Sequence, residues 1–310
     1  MDRILVIRGG ALGDFILTLP AIKTLRDAYP AAHLEILGYK HIVMLAEQRF
    51  YAQAVRSIDY APMARFFARD AELAPELVEY FGSFDLVVSY LFDPDAIFET
   101  NLKRCRTKSF IAASPKIEGE EHAALQFVRP LRREGLVCRD HAAKLYPSQG
   151  DREAAATFRA GLSGSVIALH PGSGSEKKNW PIDNWVELGN HILSRGDPGS
   201  LFVLGGEADE PQLARLQSVW KDARIRFAKN LPLPHLAALL EGAFYIGHDS
   251  GISHLAAAAG ARCLLLFGPT DPEIWAPANE NVRVIRAASG KMEDITFDVV
   301  AAAVSAADQN

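Results

Sequence analysis

The sequence is poor in the features that would assign it to several large classes. Its 310 residues include three cysteines, Cys105, Cys138 and Cys263. An odd number with no zinc-like spacing argues against a disulfide scaffold and against a cysteine metal site, and points to free thiols in a reducing compartment. No apolar run approaches the length of a bilayer span. The chain opens on a strand and not on a basic segment followed by an apolar one, so a cytoplasmic protein is expected. Positive charge is not in excess: 33 Lys and Arg stand against 38 Asp and Glu, a net charge of −5. Nucleic acid is therefore not an expected partner. Solenoid-period repeats and low-complexity tracts are absent as well.

What is present is enough for a large core. Hydrophobic residues make up 49% of the chain, and the length suits two domains. The charge is unevenly spread. Residues 1–150 carry 19 basic and 19 acidic side chains, which leaves 14 and 19 for residues 151–310. In the neutral half, basic residues cluster at Lys103, Arg104, Arg106 and Lys108 and again at Arg129, Arg132, Arg133 and Arg139. Two solvated faces explain them; an anionic acceptor or an anionic membrane surface is the functional alternative.

The first half begins with an apolar strand, Ile4-Leu5-Val6-Ile7, a glycine turn ending in Gly13-Asp14, and a helix from residue 15 to 28 in which Pro20 would introduce a kink. A strand at 33–37 follows, so the sheet should be parallel. The turn reads G-G-x-x-G-D and not G-x-G-x-x-G. Glu35 sits inside the next strand and not at its end, and no Lys-Ser/Thr pair follows the turn. Both the dinucleotide and the Walker readings are thus weak. Asp14 is either a helix cap or a carboxylate base placed beyond a strand's carboxyl end. Further strands are expected at 55–58 and 85–89. A helix is expected at 63–81, broken by Pro75 and carrying Arg65 and Arg69, which would line an acceptor site or simply pack. Asp93-Pro94-Asp95 is better read as a helix start than as a metal-binding D-x-D. Another amphipathic helix is expected at 120–136.

Residues 140–164 read as the junction, with a helix at 151–160. After a strand at 166–169 comes His170-Pro171-Gly172-Ser173-Gly174-Ser175-Glu176-Lys177-Lys178-Asn179-Trp180-Pro181. Ser173, Ser175 and one of the two lysines suit a phosphate cradle. Gly205-Gly206-Glu207 ends the next strand and suits a ribose, with Glu207 as acceptor. A strand at 243–246 is expected to stop at Gly247 and lead through Asp249 and Ser250 into an alanine-rich helix. The first-turn N–H groups of Ser250, Gly251 and Ile252 would face an anion, with His254 one turn on. The final helix, 295–307, is expected to return to the first half. A nucleotide-activated donor on the second half and a carboxylate on the first make a layout for group transfer.

These motifs, in this order, resemble glycosyltransferase family nine, the ADP-heptose:lipopolysaccharide heptosyltransferases. The matching segments are Ile4–Arg8 with Gly13-Asp14 and Thr18-Leu19-Pro20; His170-Pro171-Gly172-Ser173 with Lys178-Asn179-Trp180-Pro181; Gly205-Gly206-Glu207; Asp249-Ser250-Gly251-Ile252-Ser253-His254; and Phe267-Gly268-Pro269-Thr270-Asp271-Pro272. The resemblance implies an α/β protein of GT-B architecture: two Rossmann-like parallel-sheet domains, 1–150 for the acceptor and 151–310 for the donor, with an inter-domain cleft. It implies inverting, metal-independent transfer of heptose from ADP-heptose to a lipopolysaccharide core acceptor and no cofactor. A peripheral place on the inner face of the inner membrane is the alternative that the basic clusters raise for a cytoplasmic protein. By position, Asp14 would be the base beside Gly13. Ser173 and Lys178 would contact phosphate, Lys178 being favoured over Lys177 because it keeps the spacing to Trp180-Pro181. Glu207 would contact the ribose, and Asp249 the sugar hydroxyls. Competing expectations are another nucleotide-sugar or a protein acceptor, a nucleotide-sugar epimerase of the same architecture, and a binding protein without catalysis.

Overall fold

The computed structural model describes residues 1–162, 164–194 and 199–307. The chain divides into two compact units, Met1–His141 and Ala142–Asn310.

The first unit runs β1 (Arg3–Arg8), α1 (Leu12–Ala28), β2 (His33–Gly38), α2 (Lys40–Val43), β3 (Ala54–Ser57), a 3-10 turn (Ala61–Phe67), α3 (Pro75–Gly82), β4 (Leu86–Ser89), α4 (Ile97–Arg104), β5 (Phe110–Ala112) and α5 (Ala123–Arg133). Its five strands are all parallel, in the order β3-β2-β1-β4-β5. The order reverses at β1, so the crevice beyond the carboxyl ends of β1 and β4 is the favoured ligand position for such a sheet. Residues 4–7 of β1 are fully buried, as a central parallel strand covered on both faces requires.

Several expectations shift here for local reasons. Pro20 lies inside an uninterrupted α1. The 63–81 stretch is broken at Pro75 as expected, but its first part is only the 3-10 turn ending at Phe67, and Pro75, which cannot continue a helix but starts one well, is the first residue of α3. The short edge strand β5 was not foreseen; its three residues are too few to show a period. Asp93 accepts from the N–H groups of Phe98 (3.1 Å) and Glu99 (2.9 Å), so the D-x-D segment starts α4. Phe66, Phe81, Phe84 and Phe98 fill the core between these helices and the sheet. Among the described residues, four of the eight in the basic clusters are in ion pairs: Lys103 with Glu99, Lys108 with Asp85, and Arg129 and Arg132 with Glu121.

The second unit runs α6 (Gln149–Arg159), β6 (Val166–Leu169), α7 (Ile182–Ser194), β7 (Ser200–Gly205), α8 (Glu210–Val219), β8 (Ile225–Lys229), α9 (Leu233–Leu240), β9 (Phe244–His248), α10 (Gly251–Ala258), β10 (Arg262–Phe267), α11 (Pro272–Trp275), β11 (Val282–Arg286) and α12 (Phe297–Ala307). The order β11-β10-β9-β6-β7-β8 is again all parallel, and it reverses between β6 and β9. Trp180 and Trp185 pack edge to face, 5.4 Å apart, within the core. The Trp180 indole donates to the Ile295 carbonyl at 2.7 Å. Helix α12 packs on α7 through the buried Val300 and Val304. Among the described residues no helix is long and apolar enough to cross a membrane.

Candidate active site

In the first unit, α1 begins at Leu12, earlier than expected, so Gly13 and Asp14 are its second and third residues. Asp14 therefore does not cap the helix from outside. It reaches back, and its Oδ2 accepts the Ala11 N–H at 3.0 Å, one of the donors that a helix start leaves unpaired. Gly10, at φ +95°, makes room: a Cβ there would sit 2.7 Å from that same oxygen. The other oxygen, Oδ1, lies 3.4 Å from Nη2 of Arg8, the last residue of β1. Arg8 Nε donates to Thr18 Oγ1 at 3.0 Å, Nη1 donates to the Tyr90 carbonyl at 3.4 Å, and the guanidinium stands 4.6 Å from the Phe127 ring centre. The Arg8 side chain is 2% exposed and that of Asp14 35%. Burial lowers the Arg8 pKa, while Asp14 and Tyr90 push it back; a guanidinium starts so high that it stays charged.

In the second unit, three neighbouring strand ends converge. Beyond β6, the loop closes in a 3-10 turn, Glu176–Lys178. Beyond β9 come Asp249 and Ser250, and beyond β10 comes Thr270. Lys178 Nζ donates to Asp249 Oδ2 at 3.2 Å, and Thr270 Oγ1 donates to the same oxygen at 2.8 Å. Ser250 caps α10, its Oγ accepting the Ser253 N–H at 3.3 Å.

Two buried histidines hold this arrangement. His248 Nε2 accepts the Trp180 N–H at 2.8 Å, and Nδ1 donates to the Gly172 carbonyl at 3.2 Å. The bond that Nε2 accepts needs the neutral ring, and burial pushes its pKa down to about 3. The 172–180 loop is thereby tied to β9, which brings Lys178 to Asp249. His170 spans Asp209 and Ser250: Nε2 is 3.4 Å from Asp209 Oδ2, and Nδ1 is 3.4 Å from Ser250 Oγ. Burial alone would raise the Asp209 pKa, but His170 and the Gly206 N–H at 2.8 Å outweigh it and hold the carboxyl below its ordinary value. Gly172 is obligatory, since a Cβ would stand 1.7 Å from Asp209 Oδ1.

The sequence model of Glycosyltransferase family 9 (heptosyltransferase) matches residues 134–299, more than half of the chain. The chain belongs to glycosyltransferase family 9. Lipopolysaccharide heptosyltransferase 1 of Escherichia coli O18:K1:H7 is 24% identical over 317 residues, covering 96% of this chain and 95% of that protein. Among solved structures, a family 9 glycosyl transferase from Veillonella parvula superposes with a TM-score of 0.82 at 18% identity, covering 99% of this chain and 96% of that one. The E. coli ADP-heptose LPS heptosyltransferase II superposes with a TM-score of 0.80 at 17% identity, covering 99% and 98%. The two-domain GT-B fold is thus shown, and the chain is a glycosyltransferase of the heptosyltransferase family.

Within this family 9 transferase, the expected donor residues separate by environment. Lys178 is half-buried against Asp249, whereas Lys177 is exposed. Ser173 Oγ lies 2.7 Å from both the Ser175 carbonyl and Asn179 Oδ1 and donates its one proton within its own loop, so it shapes the loop; Ser175 is exposed. Glu207 is exposed at the start of a 3-10 turn, and the buried carboxylate at that strand end is Asp209. Strand β9 runs through Gly247 to His248, two residues further than expected, because both residues stay paired with Leu265 and Leu266 of β10; a Cβ at Gly247 would meet the Tyr245 hydroxyl at 2.3 Å. Gly251 and Ile252 are the first two residues of α10, and His254 is buried one turn on. Arg65 donates to the Glu72 carbonyl at 3.1 Å and Arg69 pairs with Asp95 at 3.7 Å, both at the surface of the first unit. Arg8, His170, Asp209, His248 and Thr270 were not singled out for a role from the sequence. The available signal was a charged or imidazole residue at the end of an apolar strand, which holds for Arg8, His170 and His248. Among the described residues, no three His, Cys, Asp or Glu side chains gather as a metal site would require.

Proposed function

We propose that this transferase moves a heptose from ADP-heptose to a hydroxyl of a lipopolysaccharide core acceptor, with inversion and without a metal ion. The observation that carries the reading is the meeting of Lys178, Asp249 and Thr270 beside the Ser250-capped start of α10. A cation, a carboxylate and a helix N-terminus at adjoining strand ends suit an anionic leaving group linked to a polyhydroxylated sugar. The sugar and acceptor are taken from the family and from the names of its relatives.

In this reading the acceptor oxygen attacks the anomeric carbon opposite the diphosphate and loses its proton to Asp14. The carbon–oxygen bond to the diphosphate breaks, and its electron pair leaves with ADP. Lys178 turns from Asp249 to the phosphates, freeing Asp249 for the sugar hydroxyls. The N–H groups of Gly251 and Ile252, the Ser250 hydroxyl and Ser173 complete the anion site, with Glu207 at the ribose and His254 behind. Arg65 and Arg69 are offered to the acceptor, which the enzyme meets at the inner face of the inner membrane.

The test is donor selection followed by transfer. Calorimetric titration with ADP, UDP and GDP should give binding to ADP alone. ADP-heptose with heptose-deficient lipopolysaccharide should then give a product bearing one added heptose with inverted anomeric configuration. Preference for UDP would overturn the donor, and retention of configuration would remove Asp14 from the role of base.

A further inference from the structure

We infer that Arg8 is the positioning residue of the Asp14 carboxylate: a buried guanidinium, fixed from behind, that holds the base in one rotamer. The inference rests on the proposed role of Asp14. Arg8 is fastened on three sides, by Thr18 Oγ1, by the Tyr90 carbonyl and by the face of Phe127. Those anchors are themselves tied. Thr18 donates to the Asp14 carbonyl oxygen at 2.7 Å, and the Tyr90 hydroxyl donates to the Phe127 carbonyl at 2.8 Å. Nη2 is left with no conventional hydrogen bond, although it is buried, and it points at Asp14 Oδ1. Among the described residues Asp14 is the only carboxylate paired with this cation. A buried charge with one counter-ion is costly to misplace, because its field is poorly screened. The carboxylate is thus gripped at both oxygens, by Arg8 at Oδ1 and by the Ala11 N–H at Oδ2. A third of its surface stays open, and the remaining lone pairs can meet a hydroxyl there. A general base needs this kind of fixed geometry more than it needs basicity, since small displacements cost large factors in rate.

Lysine at position 8 would keep the charge but lose the planar fork that reaches Thr18, Tyr90 and Asp14 together. The experiment compares wild type, Arg8→Lys, Asp14→Asn and the double variant, with ADP-heptose and heptose-deficient lipopolysaccharide as probes. Calorimetric binding of ADP to each protein serves as the check of folding. Arg8→Lys should lower kcat on the order of 10- to 100-fold, with the KM for donor and the ADP affinity within about two-fold of wild type. On the Asp14→Asn background the same change should cost less than about two-fold, because Arg8 acts through a group already removed. Gly10→Ala, which strikes the carboxylate at its other oxygen, should reproduce the kcat loss with Arg8 intact. If the losses at Arg8 and Asp14 multiply, or if Arg8→Lys turns over normally, the inference fails while the base reading stands. Normal turnover by Asp14→Asn would overturn the base reading itself.

Discussion

In the first unit, the candidate base depends on a single buried cation and one backbone N–H, all drawn from β1 and the first turn of α1. In the second unit, the candidate donor residues come from four strand ends, cross-tied by two histidines and two carboxylates. The contrast fits the two tasks. Proton removal needs one group at one place, and its open face must remain free. Holding a nucleotide diphosphate needs several donors distributed over many ångströms, and a hydrogen-bonded network sets their spacing. Perturbing the first unit should therefore change rate and leave nucleotide affinity alone, and perturbing the second should do the reverse.

The largest effect expected is that of Asp14→Asn. Turnover should fall roughly 100- to 10,000-fold, while ADP binding, followed by calorimetry, is retained; loss of ADP affinity in this variant would erase the division between the units. Next is Lys178→Ala, which removes a charge-assisted donor and should raise the Kd for ADP by about 10- to 100-fold. Lys177→Ala is its control and should stay near wild type; the opposite ranking would transfer the phosphate role to Lys177.

A third comparison is through pH. His248 titrates near 3 in the folded chain, against an ordinary value of 6.5. Its neutral form is what the fold favours, so its contribution is complete above about pH 6.5. As pH falls toward 3 the unfolded chain takes up a proton that the folded one refuses, and stability declines by about 1.4 kcal/mol per pH unit. Denaturant unfolding followed by tryptophan fluorescence, all four tryptophans being in the second unit, should show this slope, and His248→Gln should flatten it. The smallest effect should come from Thr270→Val, which removes one neutral hydroxyl from Asp249 and should alter the KM for donor only about two- to five-fold. A larger change there would mean that Thr270 contacts the donor directly.

Much of this was legible in the chain itself. The β1 run Ile4–Ile7, the glycine turn after it, the small-residue loop before Trp180 and the cap at Ser250 are contiguous patterns. Contiguous patterns report local conformation: a central parallel strand must be apolar throughout, and a helix start must offer a capping oxygen. The parallel sheets and the placement of Asp14 and Asp249 beyond strand ends followed from that logic, whereas the preference for Lys178 over Lys177 came from the family motif's spacing to Trp180-Pro181. The family resemblance followed from the motifs' order.

The tertiary structure decided what depends on packing between distant segments. Arg8 reads in sequence as the ordinary close of a strand. Only the approach of Tyr90, 82 residues away, and of Phe127 turns it into a buried cation aimed at Asp14. Glu207 is the nearer acid to the glycine pair, yet Asp209 is the one buried, because the 3-10 turn rotates it back toward His170 and leaves no room beside Gly172. His248 gains its role only from the loop 76 residues earlier in the chain, whose Gly172 carbonyl it holds. Local sequence specifies which groups are offered at each strand end; the burial that gives them their charge state, rotamer and partners arises only when separate strand ends are brought side by side.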